Sequence, residues 1–203
     1  EYARAIPLLE SALETFAGPG DLAERAAIWL DLGDAYAGLE EYGSDHLELA
    51  REQHEQARAA FAQLGRADQV ARAHEHLGDI EVQLARSNGD AALERSLSQY
   101  RSALDGWGAA GDQAGQARCL LRVAEVTGSR LEAGAVSAAQ ALAAYESAAA
   151  ALEQAEQHAA AARAHVAMGE LLSRAASPAD DGDLEGSRIT MLRICDIRKT
   201  CPQ

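Results

Sequence analysis

The sequence predicts an all-α right-handed superhelix, a solenoid of antiparallel helix pairs stacked one on the next. Three observations predict it. Apolar residues recur at three- and four-residue steps through most of the chain, as one face of a helix requires. Alanine runs through every segment while aromatics make up only 4% of the 203 residues, a mix that favours helices whose backbones approach closely. The chain also aligns on itself: Leu32-Gly33-Asp34 returns as Leu77-Gly78-Asp79, Val123-Ala124-Glu125 and Met168-Gly169-Glu170, at steps of 45, 46 and 45 residues.

The columns around that anchor make the repeat specific. Six residues before it stand Ala26, Ala71, Ala117 and Ala162; twenty before it stand Ala12, Ala57, Ala103 and Ala148. Sixteen before it are Phe16, Phe61, Trp107 and Leu152, always large and apolar. Twelve before it are Gly20, Gly65 and Gly111, and the fourth copy departs at Glu156. A two-helix unit cannot hide its apolar stripe alone, and stacking hides it.

Taken in order, residues 1–17 read as the second helix of an incomplete unit, with Ala5, Leu9, Ala12, Leu13 and Phe16 on one face. That bare stripe is expected to be covered by upstream chain, a partner or a second copy, so a homo-oligomer through this end is one expectation. Residues 18–64 form the next unit. Its first helix starts at Asp21, where Asp21 with Glu24 makes a capping box, and Asp45 with Glu48 does the same for its second helix, which Gly65 ends. Residues 65–110 and 111–156 repeat the pattern, and 157–176 give the first helix of a last unit. Loops are expected at 38–44, 86–90, 128–134 and 177–186, each with glycine. The last is acidic, with Pro178 and Asp180-Asp181-Gly182-Asp183. Residues 187–203 break the array: they hold the only lysine and two of three cysteines, and read as a divergent cap, a flexible or appended end, or a basic strip docking in an acidic groove, its own or a neighbour's.

The first helix of the 18–64 unit, the first complete one, carries Trp29-x2-Leu32-Gly33-x2-Tyr36, and its second helix carries Ala57-x3-Phe61. This pattern resembles the tetratricopeptide repeat, over roughly residues 1–176. The units are longer than the family's usual 34 or so residues and lack its closing proline, and in this they look similar to repeats in large bacterial regulators and signalling ATPases. The resemblance implies a protein- or peptide-binding scaffold or adaptor that uses a concave groove lined by first helices. The alternative it implies is a sensor or autoinhibitory module of a larger regulator.

On that groove face fall Arg72, Arg118 and Arg163, five residues before their anchors, and the acids Asp34, Asp79, Glu125 and Glu170, seven residues after the arginine column. Leu30, Glu75, Leu121 and Val166 stand between them. These rows are either a peptide-binding groove or a ladder in which an acid of one helix meets an arginine of the next. Acids in that column argue against capture of a C-terminal carboxylate and favour a partner with basic groups.

The net charge of −14 disfavours nucleic acid and anionic lipid as partners. It is also uneven: Arg188, Arg193, Arg198 and Lys199 against Asp196 leave 187–203 at +3, so the preceding residues carry −17. Three thiols fit a reducing cytoplasm, and no apolar run is long enough to span a membrane. No phosphate-binding glycine loop, G-x-S-x-G or H-E-x-x-H occurs, so neither an enzyme nor a cofactor is expected. His74 and His165 share the column of Trp29 and Leu120 and read as packed structural histidines. His74 and His76 point different ways, His158 and His165 lie too far apart, and Cys119 lacks a ligand partner, so no metal is expected.

Overall fold

A computed structural model of the chain describes residues 2–18, 20–39 and 44–175. The expected acidic loop and basic tail lie outside the described residues. Within them the chain forms eight α-helices and no strand: α1 (Tyr2–Thr15), α2 (Leu22–Ala37), α3 (Ser44–Gln63), α4 (Ala67–Asn88), α5 (Asp90–Ala110), α6 (Gln113–Glu132), α7 (Ala138–Gln154) and α8 (His158–Ala175). Short connections make successive helices antiparallel neighbours. Packing is most extensive within α2/α3, α4/α5 and α6/α7, and each pair also packs on the next. Beyond chain neighbours α2 reaches α4, and no substantial packing joins α1 to α8. The chain is an open all-α solenoid of stacked helix pairs.

The core is correspondingly segmental. One cluster joins Ala26, Trp29 and Leu30 of α2 with Ala57, Ala60 and Phe61 of α3 and Ala73 of α4. Another joins Leu121 and Ala124 of α6 with Leu142, Tyr145 and Leu152 of α7 and Ala164 and Met168 of α8. Each cluster spans a pair and the helix after it, so a unit buries its stripe only against its neighbour. The aligned alanines sit where the helices cross: Ala26, Ala71, Ala117, Ala57, Ala103 and Ala148 are all completely buried. At the two ends the column opens, with Ala12 half-buried and Ala162 exposed.

The helix stops repeat as faithfully as the crossings. At the end of α3, Gly65 takes a left-handed φ of 67°, its N–H donates to the Ala62 carbonyl, and the Arg66 N–H donates to the Phe61 carbonyl. Gly111 (φ 72°) ends α5 with the same two bonds, to Gly108 and, from Asp112, to Trp107. Glu156 ends α7 likewise at φ 57°, with bonds to Glu153 and, from Gln157, to Leu152. The departing fourth copy thus keeps the backbone motif without the glycine that suits it. The apolar column of Phe61, Trp107 and Leu152 supplies the acceptor carbonyl each time.

Several local expectations are corrected. Asp21 does not cap α2 with its side chain, because its Oδ2 accepts from the Gly18 N–H at 3.1 Å. Asp45 lies inside α3, which begins at Ser44, so it is not a capping residue. The side-chain caps are elsewhere: Asp112 accepts from the Gly115 N–H, and Ser137 with Gln140 forms a capping box on α7. The loop expected at 86–90 shrinks to Gly89, and that at 128–134 begins only after Glu132. The extra length of each unit has gone into helix, with α4 and α5 running 22 and 21 residues. His165 is exposed rather than packed and lies 3.0 Å from Glu153 Oε1; His74 is half-buried, with Nδ1 2.7 Å from Gln99 Oε1.

Candidate functional site

The first helices of the pairs lie side by side, and their charged residues meet across them. Asp34 Oδ1 of α2 is 2.8 Å from His76 Nδ1 of α4. From α4, Glu75 accepts from Arg118 of α6 at 3.3 and 3.4 Å, and Asp79 lies 3.4 Å from Arg122 of α6. Glu132 of α6 accepts from Arg174 of α8 at 3.1 Å. Partners along this row are 42 or 43 residues apart, so one unit's acid meets the next unit's base. The four first helices therefore share one continuous polar face.

The small residue after each anchor leucine sets how the paired helix meets this face. A Cβ on Gly33 would lie 2.5 Å from His54 Nε2, and one on Gly78 would lie 2.5 Å from Tyr100 Cε1. Each glycine makes room for a ring from the second helix, which then reaches the acid beside it. Tyr100 donates to Asp79 Oδ1 at 2.6 Å, while His54 Nε2 comes to 3.5 Å from Asp34 Oδ1. In the third unit the ring is Tyr145, which crosses at Gly128: a Cβ there would lie 3.1 Å from its hydroxyl. His54, Tyr100 and Tyr145 stand 46 and 45 residues apart, and His76 and Arg122 stand 46 apart. The sequence carried these two columns, and extending the self-alignment beyond its small and acidic positions exposes them.

Between α4 and α6 the face dips into a cleft of about 430 Å³. Trp107 lines it and donates its indole N–H to Glu75 Oε2 at 3.2 Å, and the Arg118 guanidinium lies 5.6 Å from the centre of the Trp107 ring. Burial works against the charge on Arg118, but the hydrogen bond and negative charge of Glu75 outweigh it and raise its pKa. Tyr100 is held well above the usual phenol range by burial and by the Asp79 carboxylate. Burial also works to raise the Asp34 pKa, yet the His76 hydrogen bond, and the positive charges that His76, His54 and Arg72 carry at the low pH where this carboxyl titrates, hold it below the ordinary value.

Of the residues singled out in the sequence, Arg72, Glu75, Asp79 and Arg118 all line this cleft. Asp34 lies beside it through His76. Glu125 and Glu170 line a second, smaller cavity of about 130 Å³ between α6 and α8, with Glu132, Tyr145 and Arg174. Arg163 is exposed and has no ion pair among the described residues. Leu121 and Leu30 are 9% and 4% exposed, packed in the core rather than lining the face, whereas Val166 is 60% exposed. No described helix is long and apolar enough to cross a membrane.

No protein-family model and no curated protein matches the sequence. Among solved structures the chain is similar to BtubC (BKLC) from P. vanneervenii, at 19% identity and a TM-score of 0.64, over 100% of this chain and 76% of that one. It is also similar to the de novo designed helical repeat protein DHR64, at 21% identity and a TM-score of 0.46, over 90% of this chain and 96% of the other. The likeness to BtubC is one of fold, and with the stacked pairs described above it makes this chain a helical-repeat protein.

Proposed function

We propose that this chain is a binding module of the tetratricopeptide type, a cytoplasmic scaffold or adaptor that takes a protein or peptide segment bearing basic groups. The observation that carries this reading is the continuous face built by α2, α4, α6 and α8, on which acids recur in every unit and an aromatic-walled cleft opens between two of them. Rigid stacked helices present such a face already formed, so the ordering cost falls on the incoming segment. Glu125, Glu132 and Glu170 against the one arginine of that cavity, Arg174, give the α6–α8 end a surplus of negative charge. In the cleft the acids already have partners, and an incoming guanidinium competes with Arg118 for Glu75 and with Arg122 for Asp79.

The test is a titration of a dye-labelled arginine-rich peptide, with an acidic peptide of the same length beside it, read by anisotropy and by tryptophan fluorescence in a Trp29→Phe background. Binding of the basic peptide alone is expected, weakened by salt and by Glu125→Lys with Glu170→Lys, both exposed positions. With Arg72, Arg118 and Arg163 changed together to glutamate, the basic peptide is expected to bind more tightly. Equal binding of both peptides, or no effect of any charge reversal while helicity is intact, would overturn the reading.

A further inference from the structure

We propose that Asp34, His54 and His76 form a binding site for one first-row divalent metal ion, zinc or a dication of similar chemistry. The three residues come from α2, α3 and α4, and one ligand atom from each lies within 4.8 Å of the others. Asp34 Oδ1 is 2.8 Å from His76 Nδ1 and 3.5 Å from His54 Nε2. A tetrahedral zinc site with ligand bonds of about 2.0–2.1 Å sets its donor atoms roughly 3.3 Å apart, so Asp34 and His76 would part slightly and any pair near the 4.8 Å limit would close by up to about 1.5 Å. Two imidazoles and a carboxylate are a donor set suited to zinc, cobalt or nickel rather than to magnesium or calcium.

The independent observation that points to a ligand is His54. Its side chain is 1% exposed, and neither ring nitrogen has a hydrogen-bond partner. Buried polar atoms of that kind are rare in folded proteins. The next unit shows what a satisfied version of the same place looks like, since there Tyr100 donates to Asp79 and Arg122 pairs with it. Where the second unit closes its network with a hydroxyl and a guanidinium, the first presents two imidazoles. A dication at this place would give His54 Nε2 a partner.

The surroundings admit the ion. The Asp34 and His76 side chains are 36% and 29% exposed, which leaves a path in and room for water to complete the coordination. Asp31, Asp34 and Arg72 interact electrostatically around the site and together leave one negative charge in excess. Before the ion binds, His76 Nδ1 donates to Asp34 and Nε2 accepts from Arg72 Nε at 3.5 Å. Binding through Nδ1 moves that proton to Nε2 and turns Arg72 aside. The ion would staple the α2/α3 pair to the first helix of the next unit. The inference stands on the geometry of these three residues and does not depend on the peptide-binding reading.

The experiment titrates Co²⁺ into the untagged full chain and counts bound zinc by elemental analysis after dialysis. The comparison is His54→Tyr with His76→Arg, which transplants the second unit's residues into the first. Wild type is expected to bind one ion more per chain than the double variant, with a visible low-symmetry Co²⁺ spectrum and a zinc-dependent rise in melting temperature that the variant lacks. Asp34→Asn, which scarcely changes shape, is expected to weaken binding more than ~10-fold. Equal numbers of ions bound by wild type and double variant, no ion bound by wild type, or unchanged affinity in Asp34→Asn would each overturn the site.

Discussion

Gly78→Ala and Gly169→Ala are the same substitution at aligned positions in α4 and α8, and the structure gives them opposite signs. In a helix interior alanine is better than glycine by about 0.8–1.0 kcal/mol. At Gly169 nothing lies within 4 Å of the new methyl, so nearly all of that gain should appear. At Gly78 the methyl would sit 2.5 Å from Tyr100 Cε1 and 2.8 Å from Cδ1 and Cζ, where carbon contacts settle near 3.5–4.0 Å. The ring cannot swing clear, because Tyr100 is 1% exposed and its hydroxyl is tied to Asp79 at 2.6 Å. Overpacking of this kind costs about 1–3 kcal/mol, and loosening a hydrogen bond to a carboxylate adds about 1.5 kcal/mol. Net of the helix-propensity gain, Gly78→Ala should destabilise by about 1.5–3.5 kcal/mol. Gly169→Ala should stabilise by about 0.5–1 kcal/mol. For a chain of this size the melting temperature should then fall by roughly 3–14 °C in the first case and rise by roughly 1–4 °C in the second. Urea and thermal unfolding followed by far-ultraviolet circular dichroism read both. A rise in stability at Gly78 like that at Gly169 would refute the claim that Gly78 is small in order to admit the Tyr100 ring.

Three further outcomes are expected. Glu156→Gly should stabilise by about 0.5–1 kcal/mol, because a left-handed residue with a side chain costs about 1–2 kcal/mol and glycine's greater freedom when unfolded returns part of that; a loss of stability in urea would contradict the shared stop motif. In chelator-treated protein, stability should fall as pH drops from 6.5 towards 4. The unfolded chain protonates His54 at its ordinary value while the native one resists to about 4. At about 1.4 kcal/mol per unit this amounts to roughly 2–3 kcal/mol, partly offset by Asp31, whose raised pKa acts in the opposite sense. His54→Tyr should flatten the profile, and an equal slope in that variant would assign it to other groups. Cys119 is fully buried and its thiol is pushed up to about 12, chiefly by burial. It should resist iodoacetamide at pH 8 in the native state and react in urea; peptide mapping that finds it labelled at the rate of a free thiol would count against its packing.

The repeat was legible because its strictest positions are steric. Where two helices cross, only alanine or glycine fits, so Ala26, Ala71 and Ala117 mark the register whatever surrounds them. The large apolar column was legible for a similar reason, since Phe61, Trp107 and Leu152 both fill the core and offer the carbonyl that stops the helix. Capping was less readable because an aspartate has several backbone donors within reach. Asp21 serves Gly18 behind it, while Asp112, which was not singled out, does cap its helix. Glycine misled at position 128, where it is a crossing point for Tyr145 rather than a breaker. His165 and Val166 lie on α8, the last described helix, where no following described helix covers their face. The candidate site was half visible. The arginine and acid rows of first helices are a matter of period, but His54 meets Asp34 and His76 only because three helices converge, and no spacing within one helix records that.

The central claim is that equivalent first-helix positions lie in a line, each one helix spacing from the next unit. Spin labels placed at residues 72 and 118, 118 and 163, and 72 and 163, all exposed positions, test it through pairwise distances. Neighbouring first helices spaced at about 8–10 Å predict two short distances and a third near their sum, about 20 Å. Three comparable distances would describe a closed bundle, and would remove the shared face on which the proposed binding rests.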